Sequence, residues 1–185
     1  MLAKAKAITV IHEDRKPAML LRLAPDGSKA AFFVPAQGTD FGTVRLRVVD
    51  LKTKTVIDSE AFQTDDDIPY RDGGFLFHWD AKSKGLFYHV VQGVGNILVY
   101  FDLEKRSSRN FCVDRDLGIV SVLDDACMAV YEMNSERRSA ILRITDGKLF
   151  RLPENLVLLG GSGSLLAVAN QQSGAVNFAR FEIRN

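Results

Sequence analysis

The densest group of chemically capable side chains is Thr64-Asp65-Asp66-Asp67-Ile68-Pro69-Tyr70-Arg71-Asp72. Three adjacent carboxylates are hard oxygen donors of the kind that hold Ca²⁺. Consecutive aspartates lack the alternating spacing and sharp-turn glycine of a calcium loop, so a solvated acidic loop is expected. Histidine occurs at His12, His78 and His89 only. His78 (in FHWD) and His89 (in FYHVV) fall on the two arms of one predicted hairpin. Zinc takes three or four converging ligands, and no HxH or CxxC spacing supplies them. No metal site and no cofactor are expected.

Gly160-Gly161-Ser162-Gly163-Ser164 has the look of a phosphate-cradling or nucleophile loop, but it matches neither GxxxxGK[ST] nor GxSxG. Strand-like sequence flanks it on both sides, so no helix N-terminus is there to offer its dipole. A hairpin turn explains it. Lys105-Arg106-Ser107-Ser108-Arg109 and Arg137-Arg138 are small basic groups on predicted turns, where charge commonly serves solubility. Cys112 and Cys127, the two cysteines, sit in strand-like surroundings and read as buried free thiols. No catalytic residue is assigned.

The elements that must position these groups are strands. Residues 43–50, TVRLRVVD, alternate with a period of two, and residues 96–102, NILVYFD, form an apolar run of strand length. No stretch keeps a helical stripe for a dozen residues. Hairpins recur four times: residues 20–23 and 30–34 around Pro25-Asp26-Gly27; 75–79 and 86–91 around 80–84; 119–122 and 128–133 around Asp124-Asp125; and 156–159 and 165–169 around 160–163. Each is followed by a third strand ending in an acid (44–50, 97–102, 140–146 and 176–182). In three units a fourth strand follows (55–62, 109–113 and 149–152). The last unit lacks one. Residues 9–14, TVIHED, resemble the first unit's fourth strand, TVIDSE, and are expected to complete the last sheet. Phe75, Phe77, Trp79, Phe87, Tyr88, Tyr100 and Phe101 crowd the second unit and are expected in the core between sheets.

APDGSKAAFF followed by VVDLKTK is similar to the TolB-like β-propeller repeat, and LVYFDLEKR is similar to its later half. The likeness covers residues 20–113 best. It implies an all-β propeller and carries no catalytic residue with it. The usual family form has six or seven blades, whereas this chain has room for four. The expectation is one domain of four four-stranded blades, about 18–63, 73–115, 117–153 and 155–185, the last completed by residues 7–14. Hemopexin-like domains close with four blades in this way. A monomer is expected, with a dimer forming a larger ring as the alternative.

The chain has 185 residues, 46% hydrophobic and 25% charged, with a net charge of +1. That is ordinary for a soluble domain and leaves no electrostatic footprint for nucleic acid. No segment is long enough for a membrane span, and the five apolar residues 7–11 are too few for a signal peptide. A cytoplasmic location is expected if the chain is complete, and a periplasmic or secreted one if a leader has been removed.

The first unit is longer than the others because of two loops, residues 36–42 and 63–74. Long loops on a rigid scaffold are where binding residues concentrate. The expected function is therefore a non-catalytic module, such as an adaptor, inhibitor or immunity-type protein. It would bind another protein through Gln37, Asp40, Phe41, Asp65, Asp66, Asp67, Tyr70 and Arg71. The alternatives are an enzyme acting on a glycan or small molecule in the central cleft, and a ligand or ion carrier using the axial channel.

Overall fold

The structure is a computed structural model and describes residues 18–38, 42–63, 77–92, 95–112, 117–132 and 138–182. Every regular element among them is a strand. The first sheet contains β1 (Met19–Leu23), β2 (Lys29–Pro35), β3 (Thr43–Asp50), β4 (Val56–Asp58) and β5 (Phe62–Gln63). The second holds β6 (Phe77–Trp79), β7 (Gly85–Gln92), β8 (Gly95–Asp102) and β9 (Ser107–Cys112). The third holds β10 (Leu117–Val122), β11 (Cys127–Glu132), β12 (Ser139–Arg143) and β13 (Leu149–Arg151). The fourth holds β14 (Leu156–Ser162), β15 (Leu165–Asn170) and β16 (Val176–Arg180). Strands are antiparallel and pair in chain order within each sheet, the meander of a propeller blade, except that β5 pairs with β3 beyond the end of β4.

The acid that ends a strand proves to be a turn device. Asp50 Oδ1 accepts the N–H groups of Lys52 and Thr53, and Asp102 Oδ1 those of Glu104 and Lys105. Asn170 Oδ1 does the same for Gln172 and Ser173. On the first hairpins, Asp80 caps Lys82 and Lys84, and Asp124 caps Ala126 and Cys127. A short side chain that satisfies backbone donors beyond itself makes a strand stop at a fixed place. The turns after Asp50, Asp102, Arg143 and Asn170 end in a left-handed residue: Lys54, Arg106, Gly147 and Gly174 in that order.

Sheets stack face to face in sequence. Phe33, Leu46, Val48, Phe77, Trp79, Tyr88 and Phe101 fill the space between the first and second sheets. Phe33 meets Phe77 edge-on at 5.1 Å between ring centroids. Phe87, Leu98, Leu117, Met128 and Leu142 join the second to the third, and Leu123, Ile141, Leu158, Leu166 and Val168 join the third to the fourth. The expected aromatic core is present: Phe77, Trp79, Phe87, Tyr88 and Phe101 are buried, Tyr100 packs at its edge, and Phe75 lies outside the described residues.

Several expectations are revised. The outer strand placed at 55–62 is two strands, because its pairing with β3 shifts by one residue between Asp58 and Phe62. Ser59 makes the shift: its N–H donates to Leu46 O, and its hydroxyl takes the Leu46 N–H and donates to Glu60 O. Gly160 and Gly161 belong to β14 and not to the turn, which shrinks to Gly163-Ser164. A bulge at Leu159 resets the register there, and Gly161 lies so close to Leu123 and the Leu165 carbonyl that a β-carbon has no room. The third strand of the third unit ends at Arg143, not at 146, and that of the fourth at Arg180, not at 182.

Closure into a four-bladed ring does not occur among the described residues. No described residue of the first sheet approaches one of the fourth, so the sheets form an open arc. The fourth sheet has three strands, and the segment expected to complete it, residues 7–14, lies outside the described residues.

Candidate interaction face

The arc has two ends to its strands, and they differ. At one end lie the first-to-second and third-to-fourth strand turns, tight and closed by the side-chain caps above. Several of their charges are paired at short range. Arg143 donates to Asp146 from Nε at 2.9 Å and from Nη2 at 2.5 Å, and this holds the Asp146 carboxyl down at about 2. Lys82 Nζ reaches Asp125 Oδ2 at 2.5 Å, tying the second sheet's turn to the third's. Ser83 Oγ accepts the Asp26 N–H at 3.2 Å, and Leu123 O accepts the Gly163 N–H at 2.8 Å. Turn is thus tied to turn along the arc.

At the opposite end the long connections leave. Pro35 pairs with Val44, and Thr43 pairs with Gln63, so residues 36–42 and the connection after Gln63 depart from one place. Ala36 N–H donates to Thr43 O at 2.9 Å and fixes the first loop's base. Gln37 is exposed on this end, followed by Gly38 in the left-handed region at φ 57°. Asp40, Phe41, Asp65, Asp66, Asp67, Tyr70 and Arg71 lie outside the described residues. What the scaffold establishes is that their segments are anchored side by side.

The same end carries a feature that the sequence reading passed over. A shallow cleft of about 250 Å³ lies between the third and fourth sheets, lined by Arg138, Ser139, Leu152, Pro153, Glu154 and Gln171. Arg138 Nη2 donates to Glu154 Oε1 across it. Behind it Arg151 donates to Glu132 from Nε at 2.8 Å and Nη2 at 2.7 Å. The buried Ser139 hydroxyl accepts the Leu158 N–H at 3.0 Å and stitches the two sheets under the cleft. This lining offers hydrogen bonds and paired charge, and its Ser139 hydroxyl is engaged by the Leu158 N–H. Arg138 and Glu154 are 16 residues apart, so no local pattern in the sequence marks the cleft.

The remaining candidates resolve into structure. His78 and His89 do share a face, since His78 pairs with Phe87 two residues before His89. His78 is buried, and burial foremost, then the charges of Arg22 and His89, push its pKa down to about 3. His89 Nε2 lies 2.5 Å from Leu117 O, a link between the second and third sheets. Tyr100 donates to Asp80 Oδ2 at 2.7 Å; burial, then this bond, pushes its phenol upward. Arg109 stacks on the Tyr100 ring at 5.3 Å. Cys127 is a free, buried thiol, its pKa raised by burial. Among the described residues no three of His, Cys, Asp and Glu converge as metal ligands.

No protein-family model matches the chain, and no curated protein matches it. Solved structures do. TolB from Acinetobacter baumannii superposes on 92% of this chain with a TM-score of 0.58 at 15% identity, over 45% of its own length. The β-propeller domain of the Trilobed protease from Pyrococcus furiosus, described as having an open velcro topology, gives 0.62 at 17% identity. That match covers 87% of this chain and 54% of the other. A puromycin-hydrolyzing peptidase of Mycobacterium tuberculosis gives 0.61 at 12% identity, over 95% of this chain and 30% of that one. At these identities the likeness shows the fold alone, and the chain spans about half or less of each structure it matches.

Proposed function

We propose that this chain, a TolB-like β-propeller array, is a non-catalytic module that binds another protein through the end bearing its long loops. The supporting observation is the shared anchorage of two loops: the register places Pro35, Thr43 and Gln63 together. Loops held side by side on paired strands present a composite surface at a lower ordering cost than separate ones. The opposite end carries short turns, several of whose charges are paired with one another. A basic patch on the partner is the complement of Asp65, Asp66 and Asp67, with Tyr70, Arg71, Phe41, Asp40 and Gln37 completing the contact.

The finer architecture belongs to this reading. Residues 9–14 are assigned as the fourth strand of the last sheet, giving four blades of four strands. The test is capture of the partner from the native source by the full chain and by a chain lacking residues 64–72. Loss of one specific partner, with circular dichroism unchanged, is the expected result. Equal capture by both chains, or no stable partner for either, overturns the assignment.

A further inference from the structure

We propose that this chain associates with a second copy of itself through the outward face of the fourth sheet, the two faces meeting about a two-fold axis that runs along β15. This contact goes beyond the loop-end interaction proposed above and does not rest on it. In the fourth sheet, Leu158, Leu166 and Val168 are buried against the third sheet. Strand alternation turns their neighbours the other way. Leu165, Val176 and Phe178 lie on that other face, 46%, 56% and 75% exposed, and no described strand packs on them. The glycines of β14 mark the same two directions. A β-carbon on Gly161 would strike Leu123 and Leu166, whereas one on Gly160 meets nothing. Apolar surface gathered on one face of a rigid sheet is the kind that another macromolecule covers.

The register identifies the occupant. Pairing sets Gly160, Ala167 and Phe178 in one row across the three strands. The row on one side of it holds Val157, Ala169 and Val176, and the row on the other side Ser162, Leu165 and Arg180. The middle row is thus a hollow at one end and a projecting ring at the other. A two-fold axis between the faces and parallel to β15 lays each row on its own reversed copy, with β14 over β16 of the second copy. Phe178 then enters the hollow over Gly160 of the second copy, and the reverse contact forms at the other end. Ala167 meets Ala167, Val157 meets Val176, and Arg180, the single charge in the three rows, meets Ser162. An axis across the strands would instead set Phe178 on Phe178 and Arg180 on Val176. The face is complementary to itself, as an isologous contact requires, and such a contact stops at two copies. Sheets packed face to face keep their strands within about 30° of each other at a spacing of about 10 Å, so three short strands hold their rows opposed. Strands of five to seven residues give an area at the low end of stable interfaces, and dissociation in the micromolar range is expected.

The test is sedimentation equilibrium of the full chain from ~1 to ~300 µM, beside full-length variants. The full chain is expected to pass from one chain mass toward two across that range. Phe178→Lys brings a charge into the hollow, and Gly160→Phe fills the hollow with a side chain whose β-carbon meets nothing in its own chain. Each is expected to weaken the dimer about tenfold or more, with an unchanged circular dichroism spectrum. The double variant Gly160→Phe/Phe178→Ala moves the projecting ring to the other end of its row, restores the match and is expected to recover the dimer. A monomer across the whole range, leaving the face to another protein or to a further stretch of polypeptide, overturns the proposal. So does a ladder of higher oligomers, or a dimer that neither single variant weakens. A double variant as weak as Gly160→Phe alone overturns the two-fold arrangement along β15. Partner capture through residues 64–72 is scored separately, so neither result decides the other.

Discussion

The buried imidazole of His78 makes stability depend on pH in a calculable way. His78 is 9% exposed, on the side of the second sheet that faces the third, and its pKa is held at about 3. In the unfolded chain it titrates near 6.5. As pH falls through 6.5 the unfolded chain binds a proton that the native chain refuses until about 3. The contribution of the neutral imidazole is therefore complete above 6.5 and is lost as pH falls from 6.5 toward 3. Between pH 8 and pH 5 the loss amounts to about 2 kcal/mol, and it hardly changes for any native value below roughly 4. The assay is urea denaturation of the chain and of His78→Gln at both pH values. The chain should lose about 2 kcal/mol more than the variant over that interval. Because this is a difference of differences, the cost of the substitution itself cancels. Equal losses in chain and variant refute the reasoning.

Two further outcomes follow from backbone geometry. Lys54 and Arg106 occupy the left-handed position that Gly147 and Gly174 occupy in the later turns. Lys54→Gly and Arg106→Gly should each raise stability by about 1 kcal/mol, and Gly147→Ala should lower it by a similar amount. A β-carbon at Gly147 or Gly174 meets nothing, so thermal denaturation of these variants reads the backbone effect alone. Gly85 is the opposite case: a β-carbon there would sit 2.6 Å from the Phe101 carbonyl and overlap the Tyr100 ring. Gly85→Ala should cost roughly 2–3 kcal/mol by overpacking and release the Tyr100–Asp80 hydrogen bond, visible as a shift in tyrosine absorbance.

The repeat was legible because its signals are local. Pro25-Asp26-Gly27, Asp80 and Asp124 mark hairpins through chemistry confined to a few residues, and the alternation of residues 43–50 names its own buried face. What escaped was settled at longer range. The break at Ser59 depends on the Leu46 backbone across the sheet, and the place of Gly161 in a strand depends on Leu123 in the neighbouring sheet. Asp50 and Asp102 were legible as strand ends, but not their hydrogen bonds to later amides. Curvature was least legible of all. Whether four sheets close depends on the thickness of side chains between them, and bulky Phe33, Phe77, Tyr88 and Phe101 lie in one gap while Met128, Val130 and Ala140 lie in another. On the site, loop length was legible in the sequence, and the register places the bases of both loops at one end of the first sheet, while the Arg138–Glu154 cleft arises from two segments remote in sequence.

A stack in which each sheet touches only its neighbours behaves as a linear chain of coupled units, in the manner of a one-dimensional lattice. The inner two sheets are each held on both sides, and the outer two on one side by the described residues. Opening therefore starts from the extremities, and amide exchange should be slowest in β7, β8, β11 and β12. The sheet from which both long loops spring is one of the extremities. A protein bound there would clamp the unit most prone to fray, so that recognition and cohesion of the whole stack become thermodynamically linked.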